Sequence, residues 1–387
     1  MTTVHTQVAV IGGGVVGCAV AHALARRGVS CTVLEAEPGL ALGASGTNSG
    51  ILHTGFDSTP GELETELILR SAALRGELLD ELGVESWRCG ALLAPSSSEE
   101  TAAVDRLAAN ARTNGVEAHL DGDGALSVPG EAVSDPVAFV HALARAAQTG
   151  DATVQLGARV VGLASRSGGG VVVELAGGES VHAQASVNCA GLYADEVAGM
   201  ASEQPVSVYP RKGEFLVFEL PEGEPLERIL LPIPSSLGKG VLVFPTLDRR
   251  HAIAGPTARE REDKSDWSVE ADAEELILAK AVRMYPPLAR AMRLGKYAGL
   301  RTAGRDGANY VIERSRTLDG LVHVAAIRST GLSASLGIGE HVVGMLAEQG
   351  AIEPGPVRAL SAPAEPPPSS IRWWERSVRY REISRTP

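Results

Sequence analysis

Apolar residues fall along this chain in two rhythms, and one gives way to the other very near its start. Val8, Ala9, Val10 and Ile11 are apolar without a break, the pattern of a strand covered on both faces. Val16, Ala19, Val20, Ala23 and Leu24 then recur at helical spacing. Between them lies Gly12-Gly13-Gly14-Val15-Val16-Gly17, and a second strand, Cys31-Thr32-Val33-Leu34, ends in Glu35. Further on, helical periodicity predicts helices from Pro60 to Gly83, from Ser98 to Asn114, from Asp135-Pro136 onward, from Val269 to Met284 and from Ala334 to about Glu348. Short β-type runs are predicted at 87–94, 153–156, 159–164, 171–175, 181–187, 215–218, 229–231, 241–244, 252–254, 310–312 and 321–326.

These elements sort into two groups. Residues 87–133 and 205–296 read as two instalments of a sheet-rich second domain, leaving 1–86, 134–204 and 297–360 to the first. Residues 361–387 form a linker, Pro-rich from Pro363 to Pro368, and a tail from Trp373-Trp374 to Arg385 that carries five arginines if Arg372 is counted. A basic aromatic tail suits either a peripheral membrane or partner contact, or a segment strapped to the protein's own surface.

A length of 387 residues exceeds one ordinary core, which agrees with two domains. The 44% hydrophobic and 21% charged content is that of a folded chain. A net charge of −12 argues against nucleic acid as partner, since phosphate backbones need a basic face. No apolar run approaches the ~20 residues of a membrane span, and the first strand begins almost at once, so a cytoplasmic location is expected. Cys18, Cys31, Cys89 and Cys189 stand apart, with no C-x-x-C pair and no metal-ligand spacing; no metal is expected.

The glycine turn is where chemistry enters. Gly12 supplies a positive φ, Gly14 lets backbone approach a pyrophosphate, Gly17 lets helix pack on strand, and the helix N-terminus offers free N–H groups. Glu35 stands close to the ~20 residues beyond the last glycine expected of the acid that holds a ribose hydroxyl. The run from Gly43 to Gly55 is too small and polar to build a core, so it reads as a ligand-holding loop with Ser45, Asn48 and Ser49 as hydrogen-bonding groups and His53 as its single imidazole. Asn188-Cys189-Ala190-Gly191 and Arg328-Ser329-Thr330-Gly331-Leu332-Ser333 are two more places where strand gives way to a glycine turn and helix.

In order, the Gly12–Gly17 fingerprint with Glu35, the Gly46–His53 loop, Asn188–Asp195, Pro210-Arg211-Lys212-Gly213-Glu214, Gly255-Pro256-Thr257-Ala258 and Arg328–Ser333 resemble the FAD-dependent oxidoreductases of the D-amino-acid oxidase superfamily. The branch they resemble contains flavin glycerol-3-phosphate dehydrogenases and L-2-hydroxyglutarate oxidases, and the likeness runs from Val8 to about Leu346. It implies an α/β protein: a discontinuous Rossmann-like FAD-binding domain of the glutathione-reductase type, with an inserted α+β substrate domain built on a large antiparallel sheet. By position it implies FAD contacts for Gly12, Gly14, Val16, Gly17, Glu35 and Ala36. Ser45, Asn48, Ser49 and Gly50 would lie alongside the flavin, Val160 near the adenine, Ala190 and Gly191 by the cofactor, and Gly331, Leu332 and Ser333 at the pyrimidine end. Phe56-Asp57 stands where L-2-hydroxyglutarate enzymes usually carry paired tyrosines, and the extra C-terminal domain of long glycerol-3-phosphate dehydrogenases is absent. The Arg328–Ser333 segment leans toward the glycerol-3-phosphate side.

Oxidising an alcohol with a flavin requires a base for the hydroxyl proton and a clamp that holds the C–H bond in place. His53 is the candidate base, because imidazole titrates near neutrality; a structural histidine and a covalent flavin anchor are the alternatives. Arg301 is the candidate clamp for a small anionic substrate, with Arg211, Lys212 and Arg328 behind it, since guanidinium binds carboxylate or phosphate through paired hydrogen bonds. The electron acceptor is left as oxygen, quinone or another carrier. Oxidation of an amine or amino acid on the same fold, and a flavin-free binding protein, are the competing readings.

Overall fold

The computed structural model describes residues 3–234, 240–305, 307, 309–363 and 371–384. Its first layer is an eight-stranded sheet. Parallel strands Ala152–Gln155, Cys31–Leu34, Thr3–Ile11, Ser180–Asn188 and Leu321–Ala325 lie side by side in that order. Antiparallel strands Val160–Ser165 and Val171–Leu175 continue it past Ser180–Asn188, and Val311–Arg314 pairs with Leu321–Ala325. Val8, Ala9, Val10 and Ile11 are buried, as an unbroken apolar run requires when both faces of a parallel sheet are covered.

Four helices pack into one core with this sheet: Val15–Arg26, Leu63–Leu82, Pro136–Gln148 and Gly331–Glu348. Asp135 caps the third through Val137 N and Ala138 N, with Pro136 opening it. Glycines bring the fourth close to its neighbours: a Cβ at Gly337 would stand 2.3 Å from Leu67 O, and one at Gly339 2.7 Å from Ala19 O.

The second layer is a nine-stranded sheet, antiparallel except where Ile229–Leu230 runs parallel to Ala91–Leu93. Its spine is the long pair Val208–Glu219 and Met292–Gly304, paired from Val208↔Gly304 to Glu219↔Met292 with one register shift between Val217 and Phe218. The expected boundary at 297 therefore falls inside a strand that stays in the second sheet to Gly304, because the pairing with Val208–Glu219 continues unbroken through Arg301. Helix Ala273–Met284 starts four residues later than its periodicity suggests. Glu270 is held outside it, its N–H bound to Glu214 and its carboxylate to Lys212, Arg259 and Arg261. A small third sheet joins Ile51–Leu52, Ala132–Ser134 and Ser86–Trp87.

Beyond Glu348 the chain crosses back, and helix Trp373–Ser384 docks on the protein itself with Trp374 buried. Of the Pro-rich stretch expected at 363–368, residues 364–368 lie outside the described residues, as does Arg385. Cys18, Cys31 and Cys189 are buried free thiols, with burial pushing Cys31 up to about 12. No helix among the described residues is long and apolar enough to cross a membrane, and none of their acidic, histidine and cysteine side chains form a metal-binding group.

Candidate active site

One cavity of about 930 Å3 runs between the two large sheets, at the upper end of the range for ligand sites. Gly12, Gly14, Val16, Glu35, Ala36, Ser45, Asn48, Ser49, Val160, Ala190, Gly191, Gly331 and Leu332 line it, drawn from six separate stretches of sequence. The turn is as tight as the glycines allow. Gly12 has φ +109° and leaves no room for a Cβ, which would stand 2.5 Å from Cys189 O. A Cβ at Gly17 would stand 1.9 Å from Gly12 O, so helix and turn are in backbone contact. Ser45 Oγ accepts from Val15 N at 2.9 Å, tying the polar loop to the helix N-terminus. Glu35 accepts from Gly13 N at 2.6 Å and Glu37 N at 2.9 Å, while burial raises its pKa.

Four of the expected residues do not line the cavity. Gly17 supports the turn from behind and does not face the cavity. Gly50 has φ +78°, and a Cβ there would meet Ser134 O at 2.3 Å, so its freedom serves the small third sheet. Ser333 lies one layer back, its hydroxyl accepting from His53 N at 2.8 Å. Lys212 points to the other face of its strand, where it is fully buried against Asp266 at 2.7 Å and Glu270 at 3.3 Å. Strand alternation sends neighbours to opposite faces, so Arg211 and Lys212 cannot both look into the cavity; Arg211 does.

The floor on the second-sheet side follows from register. Arg211 faces Arg301, Gly213 faces Gly299, and Phe215 faces Tyr297, the last two rings stacked with centroids 4.7 Å apart. The Arg301 guanidinium donates to Arg211 O through Nε at 3.0 Å, and to Lys212 O and Thr257 O through Nη2 at 3.2 and 2.8 Å. Nη1 takes part in none of these bonds, and no carboxylate among the described residues pairs with the group. Burial, with Arg211 adding to it, pulls its pKa down to about 10. Arg328 also lines the cavity, but its charge is matched by Glu64, which accepts from Thr330 Oγ1 as well.

His53 lines the cavity, and its Nδ1 lies 2.8 Å from Oε2 of Glu131. Glu131 is fully buried, and its other oxygen accepts from Thr54 N at 2.6 Å and Thr54 Oγ1 at 2.8 Å. Arg75 on helix Leu63–Leu82 donates to Leu52 O and His53 O at 3.1 and 2.8 Å, fixing the backbone of the loop. His251 and His323 also sit against carboxylates, Asp248 and Glu203, but neither lines the cavity. Sequence reasoning missed Glu131 and Arg75. Glu131 sits in a loop of the other instalment, and no local spacing connects it to His53.

The family model described as FAD dependent oxidoreductase matches residues 7–345. The chain belongs to the FAD dependent oxidoreductase family. The chain is similar to glycerol 3-phosphate dehydrogenase of Caloramator mitchellensis, 30% identical over 356 residues, covering 88% of this chain and 73% of that protein. The mitochondrial L-2-hydroxyglutarate dehydrogenase of Homo sapiens is 28% identical over 69% of this chain and 60% of its own. The solved structure of L-alpha-glycerophosphate oxidase from Mycoplasma pneumoniae, with FAD bound, superposes with a TM-score of 0.82 at 25% identity, covering 90% of this chain and 95% of that one. The α/β architecture with mixed sheets is thus that of FAD-dependent oxidases, and FAD is the cofactor of the family.

Proposed function

We propose that this oxidoreductase oxidises the CH–OH carbon of a small anionic secondary alcohol, glycerol 3-phosphate or a 2-hydroxy acid such as L-2-hydroxyglutarate. The observation that carries the reading is a half-buried arginine and an imidazole backed by a carboxylate, both lining one cavity. The residues at the nucleotide end fit FAD. A glycine turn without room for a Cβ, a helix N-terminus and the Glu35 carboxylate would hold pyrophosphate and ribose, with Ala36 and Val160 beside them. Ser45, Asn48, Ser49, Ala190, Gly191, Gly331 and Leu332 would flank the ring system. Bound FAD supplies the acceptor for the hydride that leaves carbon.

The protein groups do the rest. Arg301 holds the substrate anion: a half-buried guanidinium in the cavity wall with no carboxylate beside it has lost part of its hydration, and an anionic ligand offsets that cost. Arg211, its register partner, adds a second positive charge. His53 takes the hydroxyl proton as the C–H bond breaks. Reduced enzyme passes its electrons to oxygen, a quinone or another carrier.

The test is anaerobic mixing of the yellow protein with glycerol 3-phosphate, L-2-hydroxyglutarate, other 2-hydroxy acids and amino acids, following loss of flavin absorbance. An anionic alcohol is expected to bleach it, and His53→Ala to slow bleaching by about 10²–10⁴-fold with FAD still bound. Bleaching by an amine donor, at a rate indifferent to His53→Ala, would replace this reading with amine oxidation.

A further inference from the structure

We propose that Glu131 is a positioning residue for this reaction, holding His53 with its proton on Nδ1 so that Nε2 is the basic atom. The inference rests on the alcohol-oxidising reading above and goes beyond it by naming the group that sets the base's tautomer and strength.

The pairing is built into the backbone. Strand Ile51–Leu52 pairs antiparallel with Ala132–Ser134 in the register Ile51↔Val133, Leu52↔Ala132. The next position along that ladder sets His53 against Glu131. The backbone of His53 is then pinned twice, its N–H bound to Ser333 Oγ and its carbonyl to Arg75 Nη2. Glu131 is pinned as firmly, one oxygen occupied by both donors of Thr54 and the other by the imidazole. A carboxylate accepts and does not donate, so the ring nitrogen facing it carries the hydrogen. The lone pair is therefore on Nε2.

Shape alone does not account for an acid here. Burying a carboxylate costs several kcal/mol, and an uncharged glutamine would accept both Thr54 bonds without that penalty. With its one carbonyl oxygen held by Thr54, a glutamine would turn its NH2 toward Nδ1, and it carries no charge to stabilise the imidazolium formed when the substrate proton arrives. Of the other charged groups at this end of the molecule, Asp57 also lines the cavity and is common to wild type and every variant; the others have partners or lie on other elements. Glu64 is bound to Arg328 and Thr330, Arg75 gives its hydrogen bonds to backbone carbonyls while its charge interacts with that of Glu131, and Arg301 lies on the second sheet.

The experiment compares FAD-loaded wild type, Glu131→Gln, Glu131→Asp, His53→Ala and the double variant Glu131→Gln/His53→Ala, reading flavin reduction against pH. Glu131→Gln is expected to lower the plateau rate by roughly 10²–10⁴-fold. It should also move the acidic limb of kcat/KM down by about 1–3 pH units, because loss of a nearby negative charge makes the imidazole a weaker base. Glu131→Asp should leave the limb between the two, and the double variant should be no slower than His53→Ala alone. A slow Glu131→Gln enzyme with an unmoved limb, or a double variant slower than His53→Ala, would overturn the role of Glu131 while leaving alcohol oxidation standing. A His53→Ala enzyme reduced at the wild-type rate would instead overturn the functional reading, and this inference with it. If Glu131→Gln does not fold, the limb of Glu131→Asp decides: unmoved from wild type, it counts against the proposal.

Discussion

Replacing Arg301 with lysine keeps the charge and removes the geometry, so it isolates what the fork of the guanidinium contributes. Arg301 spends Nε and Nη2 on three backbone carbonyls, those of Arg211, Lys212 and Thr257. It thereby keeps its plane fixed while Nη1 remains for an anion. A lysine ammonium has three donors on one atom and cannot both hold those carbonyls and face the cavity. The loss is the charge-assisted hydrogen bond from Nη1, about 1.5–3 kcal/mol. That corresponds to roughly 10–150-fold in affinity for the anionic substrate. Anaerobic titration of the flavin spectrum with a non-oxidisable anionic analogue reads that affinity directly, and steady-state KM should rise in parallel. FAD content should stay at the wild-type level. An unchanged affinity in Arg301→Lys would refute the clamp and move attention to Arg211.

Lys212→Met should leave KM alone and lower Tm, because it breaks the buried pair with Asp266 and Glu270 without touching the cavity; both acids are partly solvated, so about 1–3 kcal/mol is expected, and a KM effect with intact stability would restore Lys212 to the substrate site. The same pair has a pH signature. Burial alone would raise Asp266, but hydrogen bonds from Lys212 and Ser268 hold it at about 2, below the ~3.9 of an unfolded aspartate. Its stabilisation is therefore complete above ~3.9 and lost as pH falls toward about 2, and acid-unfolding curves of Lys212→Met should be flatter in that window. Arg381→Ala removes a guanidinium stacked 3.5 Å over Trp267 and bound to Leu42 O at 2.7 Å; a cation–π contact is worth about 0.5–2 kcal/mol. FAD release, followed by flavin fluorescence on dilution, should quicken by up to roughly tenfold, and an unchanged rate would show that the tail helix does not guard the cofactor.

Legibility in the sequence followed range. The turn at Gly12, the acid at Glu35 and the loop through His53 were readable because strand, turn and helix are local, with the glycines spaced by backbone contact. Arg301 was readable as a cation at the end of an apolar run, though not its dependence on the carbonyls of Arg211 and Lys212, which comes from a register between distant strands. Lys212 was grouped with Arg211 because a polar cluster does not reveal which face each member takes until the strand phase is known. Glu131 was invisible for the same reason at longer reach: 78 residues and a sheet register separate it from the imidazole it serves.

The tail helix bears on how the cavity is enclosed. Trp373 packs edge-on against Tyr297, Tyr380 is bound to Glu37, and Arg381 lines the cavity between Leu42 and Trp267. Helix Gly331–Glu348 completes the rest of the cavity wall about 25 residues before this one begins. A chain without this helix would keep the glycine turn, the polar loop, Arg211 and Arg301 of the cavity while opening its wall at Leu42 and Trp267. Recognition of the cofactor and its enclosure are thus carried by different stretches of the chain.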